Sequence, residues 1–129
     1  MSPVEPYKLL IEEHEHYLRV EYGGNPLTLD MLTRIVNDVG NRIRAGGFER
    51  VLILRDAPLL QSDANRAMIA AMIRNKLGTR VRYAIVDIYG NDPTEVAHAA
   101  AASRAAGWDL TDFSTELEAI EWLRHQSRA

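Results

Sequence analysis

Apolar and polar residues alternate near the start of the chain, in the stretches "YKLLIEE" and "YLRVEY". Alternation with a period of two predicts β-strands with one buried face. The apolar positions are Tyr7, Leu9, Ile11, Leu18, Val20 and Tyr22. The polar stretch "EEHEH" between the two strands is short, so it predicts a hairpin, and the segment "GGNP" ends the second strand.

A helical period follows the hairpin. Thr28 is a suitable N-cap, and the next apolar residues recur every three or four positions on one stripe. These residues are Leu29, Leu32, Ile35, Val36, Val39 and Ile43. Gly46 and Gly47 are expected to end the helix, because glycine tolerates the left-handed turn found there.

Two apolar runs without alternation, "RVLILR" and "VRYAIVDIY", predict strands that are buried on both faces. A helix from about Asp63 to Leu77 is expected between them. Asp92 then caps an alanine-rich helix that ends at Gly107. The chain closes with a short strand, "WDLTDF", and a helix in "STELEAIEWLRHQ" whose Leu117, Ile120 and Leu123 are expected to point inward.

The predicted order is therefore β-β-α-β-α-β-α-β-α, an α/β fold. Strands that alternate with helices imply parallel neighbours, and the opening hairpin adds an antiparallel strand. We expect a mixed, mostly parallel sheet of about five strands covered by about four helices. Residues 1–129 are expected to form one domain, with residues 1–6, which hold two prolines, as a loose leader.

Composition narrows the classes of function. The 129 residues are 47% hydrophobic and 26% charged, with a net charge of −3 and no long basic stripe, so nucleic acid is not a favoured partner. The absence of cysteine excludes disulfides and thiolate chemistry. No apolar stretch approaches the ~20 residues of a membrane span, and no signal peptide is evident, so a soluble cytoplasmic protein is expected.

The segment after the first buried strand holds the first candidate site. Ser62 and Asp63 stand where a helix is expected to begin, and free N–H groups there favour an anion. The more usual interpretation is that Ser62 or Asp63 only caps the helix. Leu59 and Leu60 precede them in the loop, and two adjacent leucines there either form an exposed contact for a partner or fold inward onto the core.

A second candidate site lies near the carboxyl ends of the two buried strands, where ligands gather in open α/β sheets. Asp56, Asp87 and Tyr89 form this possible ligand edge. Alternatively, Asp56 pairs with Arg55 or the loop backbone, and Asp87 caps or pairs with Arg82.

Other motifs add little chemistry. His14 and His16 have metal-like spacing, but an exposed hairpin tip is the more usual interpretation, and no metal site is predicted. Glycine-rich phosphate loops, nucleophile elbows and zinc-protease motifs are absent from the sequence. We therefore predict no catalytic residue and no cofactor.

The run from about Tyr7 to Leu123 resembles the SpoIIAA-like group of STAS domains. The residues that carry the resemblance are the strand pair, "GNPLTLDML", "VLILRDAPLLQSDANRAMI" and "FSTELEAIEWL". The resemblance implies a bacterial regulatory domain without catalytic activity. Members of the family carry Asp-Ser-Ser-Gly where this chain reads Gln61 to Ala64, "QSDA". Ser62 aligns with the first serine, and Asp63 takes the place of the serine that a partner kinase phosphorylates. Either the switch is absent, or a carboxylate stands permanently in that place.

The predicted function is a non-enzymatic interaction module that docks to another protein or to a second copy of itself, as a possible homodimer. The docking surface is the segment from Ala57 to Asn65. The alternative is a small-molecule or lipid carrier with a pocket between the sheet and its helices, near Met68, Met72 and Trp108, because flexible and small side chains can leave room for an apolar guest.

Overall fold

The computed structural model describes residues 7–24, 27–59 and 80–125. This part of the chain is an α/β fold, as the sequence predicts. Its strands are β1 (Lys8–Glu13), β2 (Leu18–Gly23), β3 (Arg50–Asp56), β4 (Arg82–Asp87) and β5 (Asp109–Phe113), and its helices are α1 (Leu29–Gly46), α2 (Pro93–Ala105) and α3 (Glu116–His125). The helix predicted from about Asp63 to Leu77 lies outside the described residues. None of the described helices is long and apolar enough to cross a membrane.

The five strands form one sheet in the order β1-β2-β3-β4-β5. β1 is antiparallel to β2, and the other neighbouring pairs are parallel, so the predicted mixed sheet is confirmed. A short turn joins β1 to β2, and the N–H of His14 donates to the carbonyl of Tyr17 across it at 3.0 Å. The His14 ring stacks on the Tyr17 ring at a centroid distance of 4.7 Å.

Helix α1 covers one face of the sheet because its apolar stripe matches the apolar side chains of the strands. The Thr28 hydroxyl caps the helix by accepting from the N–H of Met31 at 3.2 Å, and Gly47 follows its last turn. The buried residues of α1 are Leu32, Ile35, Val36, Val39, Gly40 and Ile43. Leu29, which was expected on this stripe, is the first residue of the helix and is 47% exposed, so the buried stripe begins one turn later, at Leu32.

Helix α3 packs on the opposite face of the sheet. Its Ala119 and Leu123 are fully buried against apolar side chains of β3 and β4. The strand residues of this cluster are Leu52, Leu54, Ala84 and Val86. The expectation that Leu117 points inward is wrong, since this side chain is 75% exposed. At 100° per residue, Leu117 lies roughly 140° round the helix from the buried pair.

Candidate functional site

Three polar side chains form a row at the carboxyl edge of the sheet. Tyr22 of β2 stands beside Arg55 of β3, which in turn stands beside Asp87 of β4. Residues paired across neighbouring strands share a face, so the row lies on the α1 side of the sheet. Burial raises the pKa of the Tyr22 hydroxyl, although the charge and hydrogen bond of Arg55 oppose that shift.

Arg55 and Asp87 form a buried ion pair. The Nε atom of Arg55 lies 3.1 Å from Oδ1 of Asp87, and the two side chains are only 10% and 9% exposed. The Nη2 atom of Arg55 is buried and has no hydrogen-bond partner within the described ranges. Because water cannot solvate this guanidinium fully, the carboxylate of Asp87 is needed to stabilise its buried charge.

The carboxylate of Asp87 is fully engaged. Its Oδ1 accepts from Arg55 Nε and from Asn91 Nδ2, the latter at 2.6 Å. Its Oδ2 accepts from the backbone N–H groups of Gly90, at 3.0 Å, and Asn91, at 2.9 Å. Burial opposes ionisation, but the hydrogen bonds from Asn91, Gly90 and Arg55 outweigh it and hold the pKa of Asp87 below its ordinary value. Gly90 adopts a φ of 102°, which lets the backbone turn back onto the carboxylate.

Asn91 connects this carboxylate to the loop after β3. Its Nδ2 donates to the carbonyl of Ala57 at 2.9 Å, and its Oδ1 accepts from the N–H of Leu59 at 3.1 Å. We call the side chains of Arg55, Asp87 and Asn91, with the backbone of Ala57 and Leu59, the Asn91 clamp. The clamp fixes the start of the loop against the end of β4.

The predicted ligand edge is divided between the two faces of the sheet. Asp56 follows Arg55 in the same strand, so its side chain points to the α3 face, where its Oδ2 accepts from Lys8 Nζ at 2.8 Å. Asp87 remains on the α1 face, and Tyr89 lies beyond the end of β4 with 39% exposure. Asp56 thus binds Lys8, and Asp87 binds Arg55 and caps the turn that follows β4, as one of the alternatives predicted.

The predicted docking segment is described only at its beginning. Ala57 is buried, and Leu59 is half-buried, with its backbone held in the Asn91 clamp. Leu60, Ser62 and Asp63 lie outside the described residues.

The remaining candidates occupy different parts of the molecule. Nε2 of His14 lies 3.2 Å from Oε1 of Glu12, and within residues 7–24, 27–59 and 80–125 no three His, Cys, Asp or Glu residues converge as a metal site. For the pocket alternative, the ring of Trp108 packs against Tyr83 at 4.9 Å, and α2 buries Val96 and Ala100. Met68 and Met72 lie outside the described part of the chain.

Sequence reasoning missed Asn91, Lys8 and the partnership of Arg55 with Asp87. Two signals were present. Arg55 directly follows the apolar run Val51–Leu54, and a charge beside such a buried run requires a partner. The stretch "DIYGN" sets Gly90 and Asn91 three and four residues after an aspartate, a spacing at which backbone N–H groups can fold back onto the carboxylate.

Comparison with known proteins finds a similarity of fold. No protein-family model matches the chain, and no curated protein matches it significantly. A crystal structure of an anti-sigma factor antagonist from Mycobacterium paratuberculosis aligns over 96% of this chain and 99% of that chain, with a TM-score of 0.60 and 18% identity. The chain has the fold of an anti-sigma factor antagonist. The predicted SpoIIAA-like (STAS) architecture is therefore confirmed. At 18% sequence identity, this similarity is evidence for the fold and not for a shared function.

Proposed function

We propose that this chain is a non-enzymatic regulatory module that binds another protein through residues 57–65, which we call the docking segment. The similar fold of an anti-sigma factor antagonist supports a regulatory role. That support is by analogy of fold, so the residues must carry the rest of the argument.

The Asn91 clamp is the observation that carries the proposal. A general base or a metal ligand needs free lone pairs that can reach a reactant. The oxygens of Asp87 instead accept four hydrogen bonds from the protein. Through Asn91 they hold the backbone of Ala57 and Leu59. This arrangement suits a segment that is positioned in advance for recognition, because pre-ordering lowers the entropy cost of binding.

The chemistry of docking follows from the sequence of the segment. Leu59 and Leu60 supply apolar area, which favours association when it is removed from water. Ser62 and Asp63 supply polar groups that orient the partner. Since Asp63 stands where related domains carry the phosphorylated serine, binding is expected without phosphorylation at that position.

Replacing Leu59 and Leu60 together with aspartate tests the proposal. The partner is first isolated from cells that express the chain naturally, then purified and titrated against each variant by calorimetry. We expect the double variant to weaken binding by about 30-fold or more, because truncated anchors at interface centres cost ~2 kcal/mol or more. Leu117→Asp is the control, since it places a charge on an exposed leucine of helix α3, away from the docking segment. If the double variant folds and binds the partner as tightly as the natural chain, the docking segment is not the binding surface.

A further inference from the structure

Strand β1 forms one edge of the sheet. β2 pairs with one side of it, and no strand in the described part of the chain pairs with the other. Unpaired strand edges are templates for pairing with another chain. The sequence of β1, "KLLIEE", places three apolar residues at its centre, and Leu10 is 50% exposed.

The hairpin determines which backbone groups of β1 are free. In an antiparallel ladder, successive residues direct their N–H and C=O groups alternately toward the partner strand and away from it. The N–H of His14 donates to Tyr17, so even-numbered residues of β1 face β2. The odd-numbered residues, Leu9, Ile11 and Glu13, therefore direct their N–H and C=O groups outward.

The same strand is complementary to itself when a two-fold axis passes through Leu10. In that register, Lys8 lies opposite Glu12 of the second copy, and Glu12 lies opposite its Lys8. Leu9 lies opposite Ile11 of the second copy, and this pair exchanges the outward backbone hydrogen bonds. Leu10 lies directly opposite Leu10 of the second copy, as a close pair that exchanges no backbone hydrogen bonds. Moving the axis to Leu9 sets Lys8 against Leu10, and moving it to Ile11 sets Leu10 against Glu12.

We propose that β1 pairs with β1 of a second copy of this chain, antiparallel about Leu10, and joins the two sheets into one. Charges on an edge strand usually prevent such pairing. Here the charges on the α3 face have opposite signs two positions either side of the axis, so this register sets Glu12 of the second copy beside Lys8, which also binds Glu21 and Asp56 of its own chain. Glu13 does not interfere, because its carboxylate already accepts from Arg42 at 3.2 Å.

The edge dimer is independent of the proposed function. It uses the outer side of β1, whereas the docking segment begins after β3, two strands further into the sheet. Two six-residue strands bury less than the ~800 Å² per partner of a standard interface. We therefore expect a weak dimer, with a Kd of about 1–100 µM.

Charge reversal tests both the dimer and its register. Sedimentation equilibrium should show a monomer–dimer equilibrium for the natural chain. Lys8→Glu and Glu12→Lys should each raise the Kd by about tenfold or more, because each sets like charges opposite one another twice. A 1:1 mixture of the two variants should dimerise again, since every pair between the two different chains then joins opposite charges. Leu117→Asp is the control and should dimerise like the natural chain.

A natural chain that stays monomeric up to about 0.5 mM would overturn the proposal. So would a dimer that both reversals leave intact, or a mixture that does not associate. If Lys8→Glu fails to fold, because Lys8 also binds Glu21 and Asp56, amide exchange on the natural chain decides. The N–H groups of Leu9 and Ile11 should gain protection as concentration rises, and unchanged exchange in these two amides would contradict the β1 pairing.

Discussion

Asn91→Ala is the most informative single change, because it removes the link between β4 and the docking segment and leaves the backbone bonds of Gly90 and Asn91 to Asp87 in place. Three side-chain hydrogen bonds are lost, one each to the Ala57 carbonyl, the Leu59 N–H and the Asp87 carboxylate. The altered chain should fold with a looser start of the docking segment.

The expected magnitude follows from the kinds of bond that are lost. Each neutral bond contributes about 1 kcal/mol net and the bond to a carboxylate about 2 kcal/mol, which gives an upper value of about 4 kcal/mol. Asn91 is half-buried, so water can replace part of this network in the variant. We therefore expect the free energy of unfolding to fall by about 2–3 kcal/mol.

Urea unfolding measures the global loss, and amide hydrogen exchange at Leu59 measures the local one. Asn41→Ala is the matched control, since Asn41 lies exposed on α1 and its side chain accepts one bond from Arg44. That change should alter the free energy of unfolding by no more than about 0.5 kcal/mol.

Two results would refute the clamp. A Leu59 amide that exchanges equally fast in Asn91→Ala and in the natural chain would mean that Asn91 does not fix the segment. A loss of stability no larger than that of Asn41→Ala would mean that the network adds nothing to the fold.

Three further predictions concern the ion pair and the core. Asp87→Asn should lower the free energy of unfolding by about 3–5 kcal/mol, because it leaves the buried charge of Arg55 unpaired. Asp30→Asn, which removes an exposed ion pair with Arg34 on α1, should change it by less than about 0.5 kcal/mol, and denaturant titration compares the two variants. The pKa of Asp87 is lowered from 3.8, so the stability that its carboxylate contributes is complete above that value and is lost as pH falls through the folded-state pKa. In Asp87→Asn, the free energy of unfolding should therefore fall less steeply with acid than in the natural chain. An equally steep fall in both would contradict this assignment. Leu123→Ala should cost about 2–5 kcal/mol and Leu117→Ala less than about 0.5 kcal/mol, and equal losses in thermal unfolding would contradict the packing of α3.

The elements with strong periodic signals could be predicted from the sequence. The alternating hairpin, the stripe of α1 and the two apolar strands all formed where the pattern placed them, because burial on one face or on both dictates those patterns. The patterns failed at the first turns of α1 and α3. Leu29 is the first residue of α1 and is exposed although it lies on the apolar stripe, whereas Leu117 lies too far round α3 to reach the sheet.

The candidate site was less accessible to sequence reasoning. The positions of Asp56 and Asp87 at strand ends were evident, but the face that each occupies follows from the register of β3 on β4, which sets Arg55 beside Asp87. The bonds from Asn91 to Ala57 and Leu59 join residues more than 30 positions apart. No local pattern encodes such a contact, since it depends on how the loops at the carboxyl edge meet.

Site-specific photo-crosslinking at Leu59 in living cells tests the central claim most directly. A photoreactive amino acid at position 59 should join the chain to one defined protein, and the same probe at exposed Leu117 on α3 should not capture that protein. Adding Asn91→Ala to the position-59 probe should reduce the yield of the crosslink. A position-59 probe that captures only what the position-117 probe captures, in a chain that remains folded, would contradict docking through the segment after β3.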